Sequence, residues 1–132
     1  MKLLLDTHIW LWSLLEPKRL SKRVSKALSS DDNEVWISPV STWEILLSGA
    51  KGRLNVKGDD IHRWVEEILS RRLFREAPLT NEVVMAMDKV ELPHRDPADR
   101  FLAATARYFD LTLVTADKNL ISGRGYSVMA NR

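Results

Sequence analysis

The chain has 132 residues, 45% of them apolar, enough to bury a core and to set it apart from disordered sequences. Twenty basic against eighteen acidic side chains leave a net charge of +2, which permits a polyanionic partner without demanding one. With no cysteine, disulfides, thiol catalysis and cysteine-held zinc are excluded, and no apolar run approaches the ~20 residues of a membrane helix.

The length suits one domain spanning residues 1–132. Leu3 to Asp6 reads as a buried strand. Asp6 also cuts short what could open a signal peptide, and no small-residue cleavage site follows, so a cytoplasmic chain is expected. A helix runs through Trp10 and Leu15 until Pro17 stops it, and Leu20, Val24, Ala27 and Leu28 mark one face of another. The first of these is apolar nearly all round from Ile9 to Leu15, so more than its own sheet is expected to cover it.

Val35 to Ser38 is a second strand, with a helix beginning near Ser41. Ile61, Trp64, Val65, Ile68 and Leu69 recur at helical spacing, as do Val83, Ala86, Met87 and Val90. Pro97 opens a helix with Phe101, Leu102, Thr105, Tyr108 and Phe109 on its inner side. Leu111 to Thr115 is a β-rich run, and Tyr126 to Met129 a last strand. The alternation predicts a mainly parallel sheet covered on both faces, with chemistry outside the carboxyl ends of the strands. The basic clusters Lys18-Arg19, Lys22-Arg23-Lys26 and Arg71-Arg72-Arg75 read as solvated faces, and Trp36 and Trp64 as core.

Four acids fall at strand-to-helix turns: Asp6, Glu44, Asp99 and Asp117. Each has a plain structural reading. Ser41-Thr42-Trp43-Glu44 matches a capping box, Asp96-Pro97-Ala98-Asp99 a cap followed by an acid on the helix dipole, and Asp117 a cap before Leu120. Asp6 fits that reading least, since a carboxylate against a buried strand needs a partner. Taken together, gathered carboxylates repel one another unless a cation neutralises them. Oxygen donors without cysteine or clustered histidine point to magnesium or manganese, ions that serve phosphodiester cleavage by acidifying water and orienting phosphate.

Four segments carry a resemblance. Leu3-Leu4-Leu5-Asp6-Thr7-His8, Ser38-Pro39-Val40-Ser41-Thr42-Trp43-Glu44-Ile45, the run from His94 through Asp96, Pro97 and Asp99 to Ala106, and Leu113-Val114-Thr115-Ala116-Asp117 resemble, in order, the motifs of the PIN-domain family and its VapC-type ribonuclease toxins. The resemblance covers nearly the whole chain. It implies a three-layer α/β/α fold around a mainly parallel sheet of about five strands, and magnesium- or manganese-dependent hydrolysis of RNA to a 5′-phosphate and a 3′-hydroxyl. Asp6 and Asp99 would be the principal metal ligands, Glu44 and Asp117 would complete the site, and Thr115 would support Asp117. Asp96 fits a cap that aims Asp99, while Arg100 either pairs with an acid or contacts phosphate. His8 and His94 read as local fillers. A VapB-type antitoxin and a homodimer are the implied partners, either of which could cover the apolar helix near Trp10 and Trp12.

Haloacid-dehalogenase phosphatases also open on a strand ending in aspartate, but they carry a second aspartate where His8 stands. A response-regulator receiver fits less well, because its phosphorylated aspartate ends a later strand. A non-catalytic PIN-like module that binds RNA or protein is the remaining alternative, and the retention of all four acids speaks against it.

Overall fold

A computed structural model describes residues 1–52, 54, 56 and 60–132. Strand β1 (Lys2–Leu5) leads into helix α1 (Thr7–Leu15), and a 3-10 turn at Pro17–Arg19 leads into α2 (Lys22–Ser29). Then come β2 (Glu34–Ile37), α3 (Pro39–Ala50), α4 (Ile61–Ser70) and β3 (Arg75–Glu76). Helix α5 (Asn81–Met85) tightens into a 3-10 turn at Ala86–Lys89 before α6 (Pro97–Phe109), β4 (Thr112–Thr115), α7 (Lys118–Ile121) and β5 (Ser127–Ala130). The five strands form one parallel sheet in the order β3-β2-β1-β4-β5.

Central strand β1 shows why the layers form. Leu3, Leu4 and Leu5 are all fully buried, as a strand covered on both faces requires. Successive side chains point to opposite faces, so Leu3 and Leu5 join Ile9, Trp10, Val24 and Ile45 on one side. Leu4 joins Leu102, Ala106, Leu113 and Leu120 on the other. The chain therefore has the expected three-layer α/β/α architecture, with α1 to α4 on one face and α6 and α7 on the other. Trp36 and Trp64 pack against the two cores while remaining partly accessible, and Trp10 is the fully buried tryptophan.

Several elements differ from the sequence reading. Helix α3 starts at Pro39, with Ser38 as its cap accepting from the Val40 N–H (3.0 Å). Ser41 and Glu44 consequently lie inside the helix, and no capping box forms there. Strand β3 carries no apolar signal: both its residues are exposed, and only pairing with Trp36 and Ile37 of β2 defines it. The segment from Val83 to Val90 is broken at Ala86 into α5 and its 3-10 turn. Tyr108 lies on the outer side of α6, 48% exposed, edge-on to Phe109.

Helix α1 finds most of its cover within the chain. Ile9 and Trp10 are buried, while Leu11, Trp12 and Leu14 pack against the core, leaving Leu15 as its exposed large apolar residue. The Arg19 guanidinium lies 4.2 Å from the Trp12 ring, so one basic cluster adds a cation–π contact.

Candidate metal-binding active site

After β1 the chain winds through β2 to β3 on one side, then returns to place β4 on the other side of β1. The carboxyl ends of β1 and β4 flank that reversal, the place where α/β sheets open a crevice. Asp6 stands there, its N–H extending the ladder to the Val114 carbonyl (3.0 Å). Its carboxylate is held on both oxygens: Oδ1 accepts from the Thr7 N–H (2.7 Å), capping α1, and Oδ2 accepts from the Thr115 hydroxyl (2.7 Å).

Thr115 thus gives its proton to Asp6. Its oxygen accepts the Asp117 backbone N–H (3.0 Å), so the support expected for Asp117 reaches the backbone of that residue and the side chain of another. The reason is register: Leu5 pairs with Val114, which sets the end of β4 beside Asp6.

Helix α6 brings the second group. Asp96 caps it by accepting from the Ala98 N–H (3.0 Å), Pro97 occupies the first turn, and Asp99 turns inward with a side chain only 12% exposed. Asp117 caps α7 by accepting from the Asn119 N–H (2.8 Å). His94 Nε2 lies 3.0 Å from Asp99 Oδ2. Ligand-type atoms of His94, Asp99 and Asp117 all lie within 4.8 Å of one another. Glu44 closes the site from α3, its Oε1 accepting from the Thr7 hydroxyl at 2.6 Å, with Ser41 Oγ 2.9 Å from the same hydroxyl.

The electrostatics follow from burial and crowding. Burial pushes the Asp6 carboxyl up, against the lowering effect of Thr115 and Thr7. Glu44 is also raised by burial, with the Thr7 hydroxyl opposing and the charges of Asp6 and Asp96 adding to the rise. Asp99 is pushed up to about 7, by burial first, then by Asp96, Asp6 and Asp117, with His94 countering. The Tyr126 phenol, pushed up to about 12 by burial and by Asp99 and Asp117, senses the same negative field. Carboxylates that resist ionising together form a donor set that suits a hard divalent cation, which would stabilise all their charged forms at once.

Arg100 is partly buried and takes no part in the ion pairs found among the described residues. His8 is exposed and tilts against Trp12 with centroids 5.9 Å apart, and His62 pairs with Glu66 on the surface. His94 is more than a local filler. Its place five residues before Asp99, across the Asp96-Pro97 turn, was the available signal, because a capped turn folds the preceding segment back over the first helical residues. Trp43, 57% exposed, lines an apolar cleft of about 340 Å³ with Pro39, Leu79, Pro97 and Phe101.

Comparison with known proteins gives a consistent picture. The family model described as PIN domain matches residues 3–124. Ribonuclease VapC22 of Mycobacterium tuberculosis is 32% identical over 124 residues, covering 92% of this chain and 91% of the relative. Among solved structures, DNA-bound VapBC from Salmonella typhimurium superposes with a TM-score of 0.71 at 16% identity, covering 100% of this chain and 99% of the other. VapBC-5 from Mycobacterium tuberculosis, a member of the VapBC family of toxin–antitoxin systems, gives 0.61 at 16% identity over 99% and 98% of the two chains. At these identities the two structures speak for the fold alone.

Proposed function

The chain belongs to the PIN-domain family, and from that premise we propose that it is a magnesium- or manganese-dependent endoribonuclease, the toxin of a toxin–antitoxin pair. The observation that supports the reading is the acidic group beside the sheet's reversal point: ligand-type atoms of Asp99 and Asp117 lie within 4.8 Å of each other, the charges of Asp96, Asp6 and Asp117 add to the burial that pushes Asp99 up to about 7, and Glu44 feels the charge of Asp6. The chain's similarity to a protein named as a ribonuclease supports the same substrate class. We read residues 1–132 as a single PIN domain acting in the cytoplasm; no helix among the described residues is long and apolar enough to cross a membrane.

Asp6 and Asp99 would hold the cation, with Asp117 and Glu44 completing the acidic wall. Bound there, a magnesium or manganese ion would supply Lewis acidity, lowering the pKa of water and neutralising charge on the phosphate. Thr115 and the α1 N-terminus fix Asp6 before substrate arrives, so little reorganisation is needed. Asp96 sets the turn that aims Asp99 inward. Arg100, which takes no part in the ion pairs found among the described residues, would contact the phosphate. In the overall reaction a water oxygen bonds to phosphorus and the P–O3′ bond breaks. One product carries a 5′-phosphate, and the water's proton ends on the 3′-oxygen of the other.

A VapB-type antitoxin and a second copy of the chain are the expected protein partners. The exposed apolar side chains Trp43, Leu47, Leu79 and Met85 give them surface to cover, whereas α1 finds most of its cover within the chain.

The test is incubation of the purified chain with structured and unstructured RNAs in magnesium, manganese or EDTA, beside a folded Asp6→Asn/Asp99→Asn double variant. Metal-dependent cleavage that disappears in the variant supports the reading. Cleavage that persists in the variant assigns the activity to something else, and tight RNA binding without cleavage under any metal favours a non-catalytic module.

A further inference from the structure

We propose that His94 is a positioning residue that fixes the Asp99 carboxylate in the orientation required by a divalent cation, an inference that rests on the nuclease reading above. Both ring nitrogens are engaged. Nδ1 accepts the Asp96 N–H (3.4 Å), and Nε2 lies 3.0 Å from Asp99 Oδ2. With Nδ1 accepting from Asp96, it is the Nε2–H that the ring presents to Asp99.

That assignment gives Asp99 its hydrogen-bond donor among the described residues. It engages Oδ2 and leaves Oδ1 available to the site, the arrangement by which outer groups commonly orient a ligating carboxylate. It also leaves His94 without a lone pair for an ion. His94 is therefore a support for the ligand set, although its ring lies within 4.8 Å of the ligand atoms of Asp99 and Asp117.

The segment bearing His94 is itself anchored. Glu91 and Arg124 exchange backbone hydrogen bonds (3.0 and 2.9 Å), pinning it to the approach to β5. Gly125 makes that approach possible: its φ is +93°, and a Cβ there would collide with the Lys89 carbonyl. At the other end, Asp96 uses its N–H toward His94 and its side chain to cap α6. One turn thus sets donor and acceptor together.

The experiment is a Mn²⁺ titration of the whole protein, read by the electron paramagnetic resonance of free ion, on native, His94→Ala and His94→Gln proteins of equal circular dichroism. Removal of an outer support should weaken Mn²⁺ binding roughly 10- to 100-fold in His94→Ala, while His94→Gln, whose amide nitrogen stands near the place of Nε2, should stay within about 3-fold of native. At saturating Mn²⁺ the kcat for RNA should recover toward native, more fully in His94→Gln than in His94→Ala. Unchanged affinity in His94→Ala overturns the inference while leaving the nuclease intact. Equal weakening in both variants, with a directly coordinated ¹⁴N coupling in the native pulsed spectrum, makes His94 a ligand and overturns it too. A kcat that stays low in both at saturating metal assigns His94 to proton transfer instead. Absence of Mn²⁺ binding by native protein sinks the metal site and this inference together.

Discussion

Asp6 and Asp99 are both buried aspartates near the start of a helix, yet the molecule holds them in opposite ways. Asp6 caps α1, and each of its oxygens accepts a hydrogen bond from a neutral donor, the Thr7 N–H or the Thr115 hydroxyl. Asp99 lies beyond the cap of its own helix, because Asp96 has that role, and it meets His94 and three carboxylates. Donors that favour the charged form oppose the burial of Asp6, whereas like charges reinforce the burial of Asp99. Asp6 is thus built into the fold, whereas a positive charge beside Asp99 would relieve both its burial and its neighbours' repulsion.

Single substitutions should separate the two ends. The largest expected effect is on catalysis: Asp99→Asn should lower kcat/KM on RNA by roughly 10²- to 10³-fold, the scale of losing one preorganised electrostatic group, while melting at or above the native temperature without metal. Asp6→Ala should lose comparable activity but also about 1–3 kcal/mol of stability, since the Thr115 hydroxyl and the Thr7 N–H lose their acceptor. Equal stability of the two variants in chemical denaturation would erase the distinction drawn between these residues.

A smaller effect should appear with pH. Asp99 has a folded-state pKa of about 7, above the ordinary carboxylate value near 3.9, so through that window the folded protein binds a proton that the unfolded chain has released. Metal-free stability should therefore be highest at the acid end of the window and fall as pH rises through it, levelling off above about pH 7. Asp6 and Glu44, also raised, add to the same slope. Melting in EDTA across the window, with Asp99→Asn alongside, checks this; the variant should show a shallower slope, and a steeper one would mean that other groups govern it.

The smallest effect sharpens the Asp6 end. Thr115→Val keeps the shape of the side chain and removes the hydroxyl, which should cost about 1 kcal/mol, while Thr115→Ser should be nearly silent. Denaturant midpoints of the two variants provide the comparison.

Much of the site was legible because its signals are local. An apolar run ending in Asp6, a proline opening the helix before Asp99, and Asp117 after a β-rich run each act within a few residues; the structure sets Asp6 and Asp117 at strand-to-helix turns and Asp99 in the first turn of α6, which follows a 3-10 turn. Glu44 was picked out, but its helix began two residues earlier than its spacing suggested, because Pro39 takes the first helical position behind Ser38. Arg75-Glu76 was not recognisable as a strand, since an exposed edge pair needs no apolar residue. His94 was undervalued because its partner is reached only after the capped turn folds back.

The sequence by itself determined the alternation of strands and helices, the turns at which acids stand, and the oxygen-rich chemistry of the donors. Propensities, caps and apolar periodicity operate over one or two turns of chain, so they are written in neighbouring residues. Tertiary structure alone decided that β4 lies beside β1, which lets Thr115 donate to Asp6 across 109 positions of sequence. It also decided which of the acids burial and its neighbours' charge would raise to about 7. Desolvation and Coulomb forces act through space, and only the folded chain fixes those distances.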